Sequence, residues 1–165
     1  AIIVPQKDLS FSIIHLPSTW QIAGILLCSL LCGPRIGIIS SLSYLLIGLV
    51  YLPVFHGGGS VGYLLTPEFG YIIGFVPAAW LCGTLAKKEQ NYSLMNIIYS
   101  TILGLLLIHV IGISYLIVGN IIWDWRESLF DLILTNSIAP LPSQMALCLS
   151  ISFIYIILRK TILIK

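Results

Sequence analysis

The sequence predicts an all-α integral membrane bundle, and its composition and the spacing of its apolar stretches are the observations behind that prediction. Of the 165 residues, 58% are hydrophobic and only 8% are charged, and the mean hydropathy is +1.04. An ordinary globular domain carries roughly a quarter charged residues, because its surface faces water. A surface that faces lipid needs no such cover. We therefore expect a single membrane-embedded domain over residues 1–165.

Five apolar stretches have the character of membrane-spanning helices, each of which takes roughly 20 apolar residues. The predicted spans are Trp20–Cys32, Ile36–Leu52, Phe69–Ala86, Leu94–Val118 and Pro140–Leu158. The first of these is short, and the fourth is the longest.

Two further stretches are apolar but interrupted. Ala1–Leu16 contains Pro5 and Asp8, and we interpret it as the end of a truncated first span, which brings the predicted bundle to six transmembrane helices. Because the chain begins without an initiator Met, we expect an N-terminal segment to be missing. Ile121–Ile138 mixes four charged residues with Trp and Leu, and it is predicted to be a long loop with an interfacial helix, anchored by its tryptophans.

The charges predict an orientation. With five alternating spans, one side of the membrane receives six of the eight Lys and Arg residues: Arg35, Lys87, Lys88, Arg159, Lys160 and Lys165. The other side receives Lys7, Arg126 and five of the six acids. Positive charges concentrate in cytoplasmic loops. We therefore expect a multi-pass protein of the plasma (inner) membrane with a cytoplasmic C-terminus.

The predicted outer side carries three segments rich in Gly, Pro and aromatic residues, namely residues 15–21, 53–68 and 123–142. In the second segment, the run Gly57-Gly58-Gly59 allows backbone amides to approach a ligand closely, although a triple glycine is also typical of a slack linker. Its apolar flanks favour a loop packed against protein. No Gly-Lys-Ser/Thr follows, so the run is not a phosphate-binding loop.

Polar residues within or near the spans are the other candidates. His109 is ionisable at membrane depth and is a functional candidate for that reason; a neutral His bonded between helices is the alternative. Gln144, one turn into the last span, is placed to bond either a polar ligand or a neighbouring helix. Tyr63 and Tyr71 lie near the outer rim, where aromatic belt residues are also expected.

Catalysis, metal binding and nucleic-acid binding find little support. The three histidines lack HxxxH or HExxH spacing, and the four cysteines sit singly in apolar stretches. No Walker motif and no basic run with interleaved aromatics is present. We expect no cofactor, no metal site, no nucleic-acid partner and no enzymatic activity. The alternatives kept open are an intramembrane enzyme that uses His109 and an assembly subunit without a small ligand.

An ordered set of short motifs resembles a known family. The motifs are Pro17-Ser18-Thr19-Trp20-Gln21, Gly33-Pro34-Arg35-Ile36-Gly37, Tyr44-Leu45-Leu46-Ile47-Gly48, Leu52 to Gly59, and Pro67 to Phe75. In this order and spacing they resemble the BioY family, the biotin-binding S components of energy-coupling-factor (ECF) vitamin transporters. The resemblance implies an ECF S-component fold with an outward pocket for biotin. It also implies a bilayer setting, a transmembrane coupling subunit and two cytoplasmic ATPases as partners.

Nine residues are expected to contact the ligand: Gln21, His56, Gly57, Gly58, Gly59, Tyr63, Tyr71, His109 and Gln144. The family usually carries Gly-Asp-x-x-Lys near the start of the last span, where this chain has Gln144 and Leu147. A neutral Gln amide still offers a hydrogen bond to a ureido group, at about 0.5–1.5 kcal/mol net. The ligand carboxylate then needs another donor, for which the glycine-loop amides, His56 and Arg126 are the candidates.

Overall fold

The chain, in a computed structural model, forms a bundle of antiparallel helices. The structure describes residues 2–5, 11–14, 20–55, 58–88, 93–123, 125 and 127–162. Its helices are α1 (Trp20–Cys32), α2 (Pro34–Val50), α3 (Phe69–Lys88), α4 (Leu94–Trp123), α5 (Leu129–Ile133) and α6 (Leu141–Ile162). A 3-10 helix, Val61–Leu65, precedes α3, and a π-helical segment, Leu134–Ile138, joins α5 to α6. The predicted helical membrane bundle is confirmed.

The helix bounds agree with the five predicted spans to within a few residues at most ends. Within the described residues, Phe69–Lys87, Leu94–Trp123 and Leu129–Thr161 are long and apolar enough to cross a membrane. Helices α1 and α2 are apolar but shorter, at 13 and 17 residues. Gly33 separates them with a φ of +86°, and Pro34 then opens α2 at a position where its missing N–H costs nothing.

The first span predicted over Ala1–Leu16 is wrong for the residues of that stretch that the structure describes. Ile2–Pro5 (β1) and Phe11–Ile14 (β2) pair as an antiparallel two-stranded sheet, with Ile2 opposite Ile14. Runs of β-branched residues favour extended backbone. Each run is also far shorter than a spanning helix requires.

The prediction of a long loop over Ile121–Ile138 is also wrong in part. Helix α4 continues to Trp123, and α5 with the π segment occupies most of the remainder. Ser128 begins α5 as its N-cap, because its side-chain oxygen accepts a hydrogen bond from the Asp131 amide at 3.2 Å. The mostly apolar residues after Ser128 then form α5 and the π segment, which leads into α6.

The interior of the bundle is apolar, with uncharged polar groups between the helices. Large side chains that are essentially fully buried come from α1, α4 and α6 and include Leu26, Leu105, Ile108, Leu116 and Tyr155. Many apolar side chains point outward instead, among them Ile39, Leu46, Val110 and Ile157 at 60% exposure or more. An apolar exterior is what a bilayer requires.

The two ends of the bundle differ in character. Arg35, Lys87 and Arg159 lie at one end, which we call the basic end. There a Cβ on Gly83 would lie 2.7 Å from the Pro34 nitrogen and 3.0 Å from the Ser29 carbonyl oxygen, so helices α1, α2 and α3 meet backbone to backbone. The opposite end, which we call the aromatic end, carries the 3-10 helix and the end of α4.

Candidate functional site

Four polar side chains meet inside the bundle towards the aromatic end, and we call them the polar cluster: Tyr71, His109, Ser137 and Gln144. The Tyr71 hydroxyl and the Ser137 hydroxyl are 2.5 Å apart. His109 Nε2 and Gln144 Oε1 are 2.8 Å apart. The Tyr71 and His109 rings meet edge to face with centroids 5.7 Å apart. The cluster thus ties together α3, α4, the π segment and α6.

Each element places its residue for a local reason. Tyr71 is the third residue of α3, and its ring lies over Gly112 of α4, where a Cβ would collide with the ring. The π segment turns Ser137 inward, so that it is buried although its neighbours Ile138 and Leu134 are exposed. π-helical turns are rare and occur frequently at functional sites.

The cluster is buried and carries one unpaired atom. His109 is 6% exposed and Gln144 is 7% exposed. Because Gln144 Oε1 can only accept, the His109 Nε2 that faces it carries a proton, and in the neutral ring Nδ1 is then an acceptor. His109 Nδ1 is buried and has no hydrogen-bond partner among the described residues. Buried acceptors are usually satisfied, so this atom calls for an explanation.

A second group of side chains surrounds the residues before the glycine run. The Val54 carbonyl oxygen accepts hydrogen bonds from Tyr44 Oη at 2.9 Å and from Gln21 Nε2 at 3.3 Å. Phe55 is 4% exposed and packs between the rings of Tyr44 and Tyr63, at centroid distances of 5.5 and 4.8 Å. These contacts fix residues 53–55 against α1 and α2.

Tyr63 in the 3-10 helix is also buried, and its hydroxyl is difficult to ionise. Burial, followed by the negative charge of Glu68 and the proximity of Tyr44, raises the pKa of Tyr63 from 10.0 to about 12. Tyr63 therefore remains a neutral hydroxyl at any physiological pH.

In the described part of the glycine run, Gly59 is packed against protein, as predicted, whereas a Cβ on Gly58 would meet nothing within 4 Å. The Phe55 and Gly58 backbones exchange two hydrogen bonds, at 2.9 and 3.1 Å. Gly58 has a φ of +140°, which favours glycine. A Cβ on Gly59 would lie 2.6 to 2.7 Å from backbone atoms of Gly48, Leu52 and Pro53. An open depression of about 450 Å³ is lined by residues 48–53 and 59–62.

Aromatic side chains at the end of α4 hold the 3-10 helix. Tyr115 donates a hydrogen bond to the Leu64 carbonyl oxygen, and Trp125 Nε1 donates to that of Leu65 at 3.0 Å. The rings of Trp123 and Trp125 are 5.8 Å apart. Each donor thereby satisfies a carbonyl of a short helix that has few backbone bonds of its own.

A model described as the BioY family matches residues 2–163 of the chain. The chain belongs to the BioY family. A "Probable biotin transporter BioY" from Lysinibacillus sphaericus is 40% identical over 107 residues, which make up 65% of this chain and 55% of that relative. A "Probable biotin transporter BioY" from Pyrococcus horikoshii is 35% identical over 110 residues, which make up 66% of this chain and 64% of that relative. The matched region is therefore less than two thirds of the length of either relative.

A solved structure shows the same fold as this BioY family member. It is a crystal structure at 2.1 Å of the S-component for biotin from an ECF-type ABC transporter, with a TM-score of 0.72 and 25% sequence identity. The match covers 91% of this chain and 80% of the other. The expected S-component-like fold is thereby confirmed.

The nine candidate residues of this BioY chain divide into groups. Tyr71, His109 and Gln144 meet in the polar cluster, whereas Gln21, Gly58, Gly59 and Tyr63 belong to the group around Val54 and Phe55. Phe75 joins the two groups, because it lies one turn after Tyr71 and its ring is 6.3 Å from that of Tyr44. His56 and Gly57, like the proposed carboxylate donor Arg126, lie outside the described residues.

Sequence reasoning missed several residues of the candidate site. Ser137, Phe55 and Tyr115 were not singled out, although each makes a buried or specific contact. The signals available were weak: a serine in a mixed segment, and aromatic residues that also suit a membrane interface. Among the described residues, no group of three or more His, Cys, Asp or Glu side chains is arranged to hold a metal ion.

Proposed function

We propose that this BioY chain is a membrane transport subunit that binds biotin from the aromatic end of the bundle and carries it across the membrane. The observation that carries the proposal is the buried, uncharged polar cluster within an apolar bundle. Such a cluster suits the ureido ring of biotin, which is neutral and both donates and accepts hydrogen bonds. The relatives named biotin transporters, and the S-component structure, support this choice of ligand.

The remaining parts of biotin find complementary surroundings. The apolar ring and chain suit Phe75, which joins the two groups, and the aromatic residues of the second group, Tyr44, Phe55 and Tyr63. The carboxylate is left to the mouth of the site, because an ionised group costs least where water reaches it. We propose that His56, the amides of the glycine run and Arg126 provide its donors.

An enzyme that uses His109 is less well supported by the geometry. His109 bonds the amide of Gln144 and, among the described residues, no hydroxyl. The nearby Ser114 is exposed, and its hydroxyl donates to the Val110 carbonyl oxygen of its own helix at 2.7 Å. A nucleophile and base would need to lie within hydrogen-bond reach of each other.

The partners and orientation belong to the same proposal. An ECF coupling subunit with two cytoplasmic ATPases would contact the basic end, which we place in the cytoplasm with the C-terminus, in the plasma (inner) membrane. Labelling with a membrane-impermeant maleimide tests the orientation. Cys32 is exposed at the basic end, and it should react only from the cytoplasmic side. In a cysteine-free background, Glu127→Cys at the aromatic end should react only from outside.

Biotin binding is tested by the thermal stability of the purified protein in detergent. A ligand at a hundredfold excess over its dissociation constant stabilises the folded state by about 2.7 kcal/mol. We expect biotin to raise the melting temperature of the native protein and of Ser114→Ala, whose hydroxyl lies outside the site, and to have a smaller effect on Gln144→Leu. No shift and no calorimetric signal for the native protein would refute the proposed function.

A further inference from the structure

The polar cluster contains an unused hydrogen-bond acceptor whose character limits what the site can bind. His109 is 94% buried, its Nε2 is engaged by Gln144, and its Nδ1 has no partner among the described residues. A buried polar atom without a partner is costly, and the cost is removed when a bound molecule supplies the missing group. Because His109 Nδ1 is an acceptor, the bound molecule has to supply a hydrogen-bond donor.

Gln144 decides which nitrogen is the acceptor. Its Oε1, 2.8 Å from His109 Nε2, has no proton to give, so Nε2 donates. A charged imidazolium is costly at this depth, so the ring is the neutral Nε2–H tautomer. A neutral imidazole with a protonated Nε2 has its lone pair on Nδ1. The amide of Gln144 therefore acts as a positioning group for the histidine.

The surroundings of His109 are uncharged. Among the described residues, the Gln144 amide bonds His109, and the Tyr71 ring, whose hydroxyl is itself paired with Ser137, meets it edge to face. All the buried polar side chains described in the structure are Ser, Thr, His or Gln. A charged group brought to this depth would meet no opposite charge among the described residues, which is expensive in an apolar bundle.

We propose that His109 Nδ1 accepts an N–H of the bound ligand, and that the inner part of the site selects an uncharged head group with an N–H donor, such as a cyclic urea. This inference rests on the proposed function, because it assigns one atom of the biotin head to one atom of the site. It makes His109 a specificity-determining residue, and it explains why a neutral Gln at position 144 suits the site.

Three probes separate the donor requirement from the charge requirement. Biotin itself has the neutral cyclic urea. Biotin methylated on a ureido nitrogen loses one N–H but stays neutral. The third ligand, 2-iminobiotin, keeps its N–H groups but carries a positive charge at neutral pH. Calorimetry with native protein at pH 7 should give biotin the highest affinity. One N-methyl isomer should bind about 3- to 10-fold more weakly, because it loses one hydrogen bond, and iminobiotin at least about tenfold more weakly.

Variants of His109 then test whether this residue causes the difference in affinity between biotin and the N-methyl isomer. His109→Phe removes the acceptor, so the affinity ratio between biotin and the N-methyl isomer should fall to about one. His109→Gln keeps a donor and an acceptor on one side chain and should restore part of the ratio. Ser114→Ala, on the exposed face of the same helix, should leave the native ratio unchanged. Should His109→Phe fail to fold, His109→Gln and the three ligands on native protein still test the inference.

The failures are distinguishable. If the native protein binds none of the three ligands, the proposed function fails. If it binds biotin but also both N-methyl isomers equally well, or if the ratio survives in His109→Phe, biotin binding stands and the role of His109 is refuted. Equal binding of iminobiotin and biotin would overturn the requirement for an uncharged head.

Discussion

The hydrogen bond between His109 and Gln144 predicts a strong energetic coupling between two helices. His109→Phe leaves the buried Gln144 amide without its donor, and Gln144→Leu leaves both ring nitrogens of His109 without a partner in the described part of the chain. Each single change is expected to destabilise the protein by about 1–1.5 kcal/mol, the lower part of the usual cost of stranding a buried polar group, because the unfolded state within the membrane also finds partners. The double variant removes both groups and should lose only the net value of the bond, about 0.5–1.5 kcal/mol.

The assay is a double-mutant cycle on unfolding free energies, measured by SDS titration in mixed micelles. Couplings between helices in membranes are moderate, averaging about 0.6 and reaching about 1.7 kcal/mol. We expect this pair to lie at the upper end of that range, because its atoms are buried at 2.8 Å. A matched cycle serves as control, since Thr101 and Ser152 also face each other between α4 and α6, at 3.2 Å.

The control pair should show almost no coupling. The hydroxyl of Thr101 also donates to the Ile98 carbonyl oxygen, and that of Ser152 to the Cys148 carbonyl oxygen, so each keeps a partner when the other is removed. Thr101→Val and Ser152→Ala should therefore add to within about 0.5 kcal/mol. Additive behaviour of His109→Phe and Gln144→Leu would refute the reasoning, as would equal coupling in both cycles.

Three further predictions concern the aromatic end. Gly59→Ala should destabilise the protein by about 1–3 kcal/mol, because the added Cβ overpacks against backbone. Gly24→Ala, whose Cβ would have nothing within 4 Å, should stabilise α1 by up to about 1 kcal/mol. Equal shifts in the melting temperatures of the two variants would contradict this. Trp125→Phe should speed amide hydrogen exchange in the 3-10 helix, because the Leu65 carbonyl loses its donor; unchanged exchange would argue against this contact. Since the pKa of Tyr63 is raised from 10.0 to about 12, its contribution to stability should be complete below pH 10 and lost as the pH rises towards 12. In Tyr63→Phe, the free energy of unfolding should fall less between pH 10 and 12. An equal fall in the variant and the native protein would show that Tyr63 is not its cause.

The spans could be predicted from the sequence because each is a continuous apolar run ended by proline, glycine or charge. The first span could not, because four-residue runs such as Ile2–Pro5 are ambiguous when periodicity is the only guide. The boundary of α4 was missed for another reason. Asn120 and the tryptophans after it are compatible with both a loop and a helix end at an interface.

The candidate site was predictable where a residue is unusual in its setting. His109 and Gln144 are polar groups in apolar runs, and the structure brings them into contact. Ser137 was not predictable, because serine is common in mixed segments and its inward direction depends on the π segment. The glycine run was predicted to be packed, but the reason for Gly59 in particular, the nearby Gly48 backbone, is a tertiary contact that local sequence does not reveal.

The close contact of α1, α2 and α3 at the basic end has a mechanical consequence. With Gly83 seated on the Pro34 nitrogen and Gly37 against Ser29, those helices have no room to move closer and few side-chain atoms to rearrange. At the other end the same helices are separated by rings that can change rotamer. We therefore expect any widening of the bundle to occur at the aromatic end, while the contacts of Gly83 and Gly37 at the basic end keep those helices in place.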